Sequence, residues 1–106
     1  MRAIKLMPDY FCYPLWEASP GKVGNIDPKT LPISPALQQQ LLAWARLFDQ
    51  TLDMNDPRSA GFKSEEAVIT FNQTGATLAT QLREELGAEY VIIEKFVRKL
   101  QGNKQL

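Results

Sequence analysis

The 106-residue chain carries 12 basic and 12 acidic side chains, and this balanced charge argues against nucleic-acid binding through bulk positive charge. It contains no histidine, which removes the commonest general base, the Ser-His and Cys-His nucleophile pairs and most transition-metal sites. Its hydrophobic fraction of 44% is enough for one modest core. We therefore predict a folded protein that is not an enzyme and needs no cofactor or metal ion.

The N-terminal third of the chain predicts two short strands followed by a long loop. Residues 3–7 alternate apolar and polar side chains, as in a strand with one buried face. Residues 10–17 are rich in aromatic side chains, and Pro14 favours an edge strand or an extended segment lying on the core. Residues 18–33 contain several turn-forming pairs, so we expect a long ordered loop. The apolar side chains expected to hold this loop are Val23, Ile26, Leu31 and Ile33.

Two amphipathic helices are predicted after the loop. Ser34 precedes a proline, which is typical of a helix start, and apolar residues recur every three or four positions until about Met54. A second helix starts at Ser64, and Gly87 is its expected C-terminal cap. Gly75 lies in the apolar stripe of this helix, which predicts a close approach by the first helix or the sheet.

The last apolar run, residues 89–97, is rich in β-forming side chains on both faces and predicts a strand in the middle of a sheet. The element order is then β-β-loop-α-α-β. We predict a two-layer α+β fold, in which a two- to three-stranded sheet is covered on one face by an antiparallel helix pair. Residues 1–97 are expected to form this single domain, and residues 98–106 a basic C-terminal tail.

No signal peptide or membrane helix is predicted. Lys5, Pro8 and Asp9 interrupt the apolar N-terminal stretch, and no run approaches the roughly 18 apolar residues that a membrane helix needs. Cys12 is the single cysteine, so it has no internal disulfide partner and is interpreted as a small buried hydrophobic residue. These features fit a cytoplasmic protein.

Acidic residues are concentrated around the junction of the two predicted helices. This junction is rich in oxygen ligands, but Pro57, Arg58 and Ser64 occupy positions that a calcium-binding loop reserves for other residues. The acids could form a solvated face, a protein-binding patch or, at Asp49 and Asp53, a catalytic or Mg²⁺-holding pair on one helix face. The five acids are Asp49, Asp53, Asp56, Glu65 and Glu66.

The two tryptophans have different expected roles. Trp44 lies in the apolar stripe of the first helix, which indicates a core position. Trp16 stands at the start of the long loop, where it could pack on the core or serve as an exposed anchor for a partner.

Several motifs together resemble a group of short bacterial proteins, some of which are similar to the immunity proteins of polymorphic toxins, including those of contact-dependent growth inhibition systems. The resemblance covers most of residues 1–96 and excludes the basic tail. The motifs that carry it are CYPLW, GNIDPKTLPIS, LLAWARLFDQTL, NDPRSAGF and EELGAEYVI.

This resemblance implies an inhibitor that binds a cognate toxin and occludes its active site. Many such toxins are nucleases with basic clefts, which an acidic patch would attract. A proline-stiffened loop would add a second surface that loses little entropy on binding, although the loop could equally cap an open end of the core. The residues expected to bind the partner are Trp16, Glu17, Asp27, Asp49, Asp53, Asp56, Glu65 and Glu66.

Two other hypotheses stay open. The alternative function is a small self-associating structural or regulatory module that dimerises through an edge strand or through the aromatic segment at residues 10–16. An unusual enzyme that uses the carboxylates comes last, because the chain has no histidine. The free protein is expected to be a monomer or a weak homodimer, with no nucleic-acid or membrane partner.

Overall fold

The computed structural model describes residues 1–52 and 61–97, so the predicted basic tail lies outside the described residues. The described elements follow one another in the order β-β-β-α-α-β, with short 3₁₀ turns after the third strand and after the second helix. The predicted α+β class is therefore confirmed. The elements are β1 (Arg2–Leu6), β2 (Leu15–Glu17), β3 (Asn25–Ile26), α1 (Pro35–Asp49), α2 (Glu65–Leu86) and β4 (Tyr90–Glu94).

The described sheet has four strands in the order β3-β2-β1-β4. The central strand β1 pairs antiparallel with β2 and parallel with β4, and Ile4 and Leu6 of β1 are fully buried under the helices. A parallel pair requires a long crossover connection, and α1 and α2 provide it on one face of the sheet. The buried side chains of this face and of the helices form the core.

Two predictions about the sheet are wrong. β4 is an edge strand rather than a central one. Its Val91 and Ile93 are 41% and 42% exposed, because the helices cover only the opposite face of the sheet. β2 is an interior strand rather than an edge strand, because β3 pairs with its outer side. The two residues of β3 were expected in a loop, and Pro14 precedes β2 and so does not interrupt its pairing. The sheet therefore has four strands where two or three were expected.

The helix boundaries agree with the predictions at three of four ends. The hydroxyls of Ser34 and Ser64 accept the backbone N–H groups of Leu37 and Ala67, and Gly87 ends α2 with a φ of +79°. Helix α1, however, stops at Asp49 rather than near the predicted end at Met54. The Thr51 hydroxyl donates to the Phe48 carbonyl at 2.7 Å, and the Thr51 N–H donates to the same oxygen, which tightens the last turn.

The long loop is ordered, as predicted, but one of its expected anchors is wrong. Ile26, Leu31 and Ile33 are buried, whereas Val23 is 95% exposed. Val23 stands between two glycines with positive φ, and these turns direct it away from the core. The remaining three anchors are enough to fix the loop because its backbone also forms β3 and a 3₁₀ turn.

Trp44 lies at the centre of the core, as predicted, with only 1% of its surface exposed. Its ring stacks on Phe71 with centroids 4.5 Å apart, and its Nε1 donates to the Phe71 carbonyl at 3.0 Å. The predicted close approach at Gly75 is also confirmed, because a Cβ atom built there would lie 2.7 Å from the Trp44 ring and 3.0 Å from Phe96.

Candidate partner-binding surfaces

The antiparallel helix pair brings the end of α1 next to the start of α2. The Gly61 N–H donates to the Thr51 carbonyl at 2.8 Å, and the Phe48 and Phe62 rings have centroids 6.2 Å apart. The structure thus places Asp49, Glu65 and Glu66 at one end of the molecule, as the acidic-patch hypothesis requires. Asp53 and Asp56 lie outside the described residues.

These acids do not share one flat surface. Glu66 lines a cleft between the helices together with Leu47, whereas the Asp49 carboxylate accepts the Phe11 N–H at 2.9 Å on another side of α1. Leu47 and Asp49 are two positions apart on the helix, which rotates their side chains by about 200°. Helix α1 ends at Asp49, and Asp53, the second carboxylate of the predicted pair, lies outside the described residues, so the pairing stays a prediction.

Glu17 is engaged within the protein. Its carboxylate accepts the Arg2 guanidinium at 2.9 Å and the Ser19 hydroxyl at 3.1 Å, and only 12% of its side-chain surface is exposed. The hydrogen bond from Arg2 lowers the pKa of the Glu17 carboxyl below its ordinary value of 4.5, and the same bond raises the pKa of Arg2. The ion pair joins the first strand to the second.

Replacing Glu17 by Gln is expected to remove a pH-dependent part of the stability. A carboxyl with a lowered pKa in the folded state stabilises the protein above its unfolded pKa and loses this contribution as the pH falls through its folded pKa. Urea unfolding at pH 7 and at stepwise lower pH should therefore show a stability difference between native protein and Glu17→Gln that is full above pH 4.5 and shrinks below it. Arg2→Gln should remove the same pH dependence, and a difference that is constant with pH would contradict the assignment.

Trp16 lies on the sheet face that the helices leave uncovered. Its neighbour Leu15 is fully buried under the helices, so Trp16 points to the other side, where it is half-buried and its Nε1 donates to the Met7 carbonyl at 3.0 Å. In the sheet register, Lys5 lies between Trp16 and Ile93. Trp16 therefore belongs to a partly apolar sheet surface, separate from the acidic end.

Asp27 has a local structural role. Its carboxylate accepts the Lys29 N–H at 3.0 Å and caps the short 3₁₀ turn Pro28–Thr30 that follows β3. The Asp27 side chain is half-buried. The predicted partner-binding residues are thus distributed over the acidic helix end, the uncovered sheet face and the 3₁₀ turn, and whether they contact a partner stays a prediction.

Sequence reasoning did not identify a cleft that runs between the two helices. Leu47 is 51% exposed in this cleft, and Ala43 and the Thr70, Thr74 and Thr77 side chains line it with Leu47. A signal was present in the sequence, because Leu47 is an apolar residue outside the buried stripe of α1.

Sequence reasoning also missed the turn at residues 9–13, here called the aromatic turn. Phe11 is the one non-glycine residue with a positive φ in the described parts of the chain, at +59°, and it is 71% exposed. Such a backbone conformation costs a bulky residue on the order of 1–3 kcal/mol. Cys12, predicted to be buried, is only partly buried beside it. The residues Tyr10 and Phe11 predict an aromatic surface, but they do not predict the positive φ of Phe11.

No cluster of three or more Cys, Asp or Glu side chains in residues 1–52 and 61–97 is arranged to hold a metal ion. Within the same residues, neither helix combines the length and the apolar character that crossing a membrane requires. The geometry is that of a rigid surface with charged and aromatic side chains.

Comparison with known proteins points to one family. Residues 2–94 match the model of a family described as Serratia CdiI immunity protein-like. A search of curated proteins finds no match. The family match covers every described strand and helix and agrees with the resemblance carried by the sequence motifs.

Proposed function

The chain belongs to the Serratia CdiI immunity protein-like family, and from this membership we propose that it binds one cognate bacterial toxin in the cytoplasm and occludes the toxin's active site. The family match over residues 2–94 is the observation that carries this proposal. Immunity to a toxin is a binding function, and the family agrees with the prediction that the chain is not an enzyme.

The proposed toxin is a nuclease with a positively charged cleft. Asp49, Glu65 and Glu66 outnumber Arg46 and Lys63 among the described residues at this end of the helix pair, and this excess of negative charge would accelerate association with a basic surface. Carboxylates can also occupy the positions that phosphate groups take in such a cleft. We expect the partner to bind at this helix end, and the carboxylates of Glu84, Glu85 and Glu89 at the opposite end, where α2 meets β4, provide the comparison that tests this expectation.

The expected binding surface is largely preformed. The loop at residues 18–33 contains β3 and a 3₁₀ turn, and the Asn25 side chain bonds to backbone groups of Tyr13 and Leu15. Since these segments are already ordered, binding a toxin would cost little conformational entropy. A dedicated inhibitor benefits from such rigidity because it must remain bound for as long as the toxin is present.

A growth assay tests the proposed function. The candidate cognate toxin, identified from the genome that encodes this chain, is expressed from an inducible promoter in a heterologous bacterium, with or without this protein. We expect expression of this protein to restore growth, while an unrelated small α+β protein does not. Continued growth arrest, with both proteins present at equal levels, would contradict the proposal.

A second candidate function is self-association through the uncovered sheet face. Val91 and Ile93 are exposed on the same face as Trp16, with Lys5 between Trp16 and Ile93, and these apolar side chains favour contact with another apolar surface. Strand addition at β4 is disfavoured, because Arg83 donates to the outward-facing Ile92 carbonyl at 3.0 Å. Sedimentation equilibrium at high protein concentration separates the hypotheses, since a module of this type forms a dimer and a dedicated inhibitor stays monomeric.

A further inference from the structure

We propose that Phe11 is an anchor of the toxin-binding surface and that its ring enters an apolar pocket with a basic rim on the cognate toxin. This inference rests on the proposed function and deepens it, because it assigns a contact residue outside the acidic residues predicted from the sequence. The partner is the toxin rather than a second copy of this chain.

The first argument is the conformation of Phe11. Its φ of +59° lies in the left-handed region, which glycine and asparagine enter easily and a bulky aromatic residue does not. The other residues with positive φ in the described segments are glycines. Selection for stability alone would favour glycine or asparagine at this position. The phenylalanine ring therefore points to a role outside folding.

The second argument is that the ring contributes little to the folded protein. Phe11 is 71% exposed, and its nearest aromatic neighbour, Tyr10, has its ring centroid 6.4 Å away. An exposed ring gains almost none of the hydrophobic stabilisation that a buried phenylalanine gains. Strain without compensating burial is typical of residues that are held for binding.

The third argument is the rigid support on both sides of the ring. On one side Tyr10 stacks on Phe48 with centroids 4.5 Å apart, and its hydroxyl is 3.0 Å from the Thr51 Oγ1. On the other side the Asn25 side chain accepts the Tyr13 N–H at 2.9 Å and donates to the Tyr13 carbonyl at 2.7 Å. The backbone that carries the ring is therefore held on both sides, which lowers the conformational entropy that an anchor loses on binding.

The fourth argument is charge, which selects the kind of partner. The Asp49 carboxylate accepts the Phe11 N–H at 2.9 Å, and the Asp9 carboxylate accepts the Tyr10 N–H at 2.8 Å. Arg46 is the cation in the shallow depression between Phe11 and Asp49. Two carboxylates against one guanidinium leave a negative rim, so a complementary toxin pocket carries basic residues around an apolar floor. Asp49 also connects the aromatic turn with the acidic helix end.

The test separates binding from stability with Phe11→Asn, because asparagine tolerates the left-handed conformation. We expect the melting temperature to stay unchanged or to rise, while the dissociation constant for the purified cognate toxin increases about 30-fold. Phe11→Tyr retains the ring and should bind within about threefold of native protein. Val91→Thr is the control, since it removes another exposed apolar side chain, on the uncovered sheet face, and should not alter toxin binding.

Four outcomes would overturn the inference. Native affinity in Phe11→Asn would show that the ring is not an anchor, while leaving the proposed function intact. A lowered melting temperature together with native affinity would assign the ring to stability. A free dimer that Phe11→Asn converts into a monomer would make a second copy the occupant. If native protein did not bind the toxin, this result would contradict the proposed function and, with it, the assignment of Phe11 as an anchor.

Discussion

Gly75→Val is expected to lower the free energy of unfolding by about 2–3 kcal/mol, which is a large part of the stability of a small domain. A Cβ atom at this position would lie 2.7 Å from the Trp44 ring and 3.0 Å from the Phe96 ring. Trp44 cannot retreat easily, because its Nε1 bonds to the Phe71 carbonyl and its ring stacks on Phe71. Chemical denaturation at constant pH measures the change.

Ala76→Val is the matched control, since Ala76 is exposed on the same helix. It introduces valine without a clash, so only the weaker helix propensity of valine, well below about 1 kcal/mol, should appear. Equal losses in the two variants would mean that helix propensity rather than packing against Trp44 decides the stability at Gly75. A gain in stability for Gly75→Val would contradict the packing described for the core.

Neutralising Glu65 and Glu66 to Gln is expected to slow association with the toxin about tenfold at low ionic strength. Both carboxylates are exposed in the first turn of α2, so their effect on the partner is long-range steering rather than a buried contact. Salt screens such steering, and the difference from native protein should shrink above about 0.5 M salt. Stopped-flow association at several salt concentrations measures both effects.

Glu84→Gln combined with Glu89→Gln is the matched control, because it removes the same charge from the opposite end of α2, roughly 30 Å away. Its association rate should stay within about twofold of the native rate. Equal slowing by both pairs would mean that net charge, and not the acidic helix end, guides the toxin. Unchanged rates for Glu65 and Glu66 at low salt would exclude this end as the steering surface.

The local features of the fold could be predicted from the sequence because they depend on neighbouring residues. Ser34 and Ser64 cap the helices, Gly87 ends α2, and Gly75 marks a close approach, as their positions indicate. Capping and turn conformations are properties of a few consecutive residues. The α+β class followed because helix and strand periodicities differ along the chain.

The order of the strands could not be predicted because it depends on pairing between distant segments. β4 has apolar side chains on both faces, which is typical of a central strand. In the described sheet, however, β4 pairs only with β1, and the other edge of β1 pairs with β2. Val91 and Ile93 remain exposed because no described element covers their face of the sheet. The two residues of β3 are too short a segment for any periodicity to appear.

The positions of three predicted site residues follow from the packing of the helices, and whether any of them contacts a partner stays a prediction. Asp49, Glu65 and Glu66 meet at one end because two consecutive helices pack antiparallel, and the sequence indicates this packing. Glu17 was expected to face a partner, but its carboxylate pairs with Arg2 from a strand that is adjacent only in the folded protein. The strained conformation of Phe11 also depends on a distant carboxylate, that of Asp49, and no local pattern indicates it.

Calorimetric titration of the purified protein with the candidate cognate toxin tests the central claim most directly. The account predicts a one-to-one complex with a dissociation constant near 1 nM, or about −12 kcal/mol, and loss of toxin activity at equimolar protein. No heat of binding at micromolar concentrations, with the toxin still fully active, would contradict the claim that this chain is a toxin inhibitor.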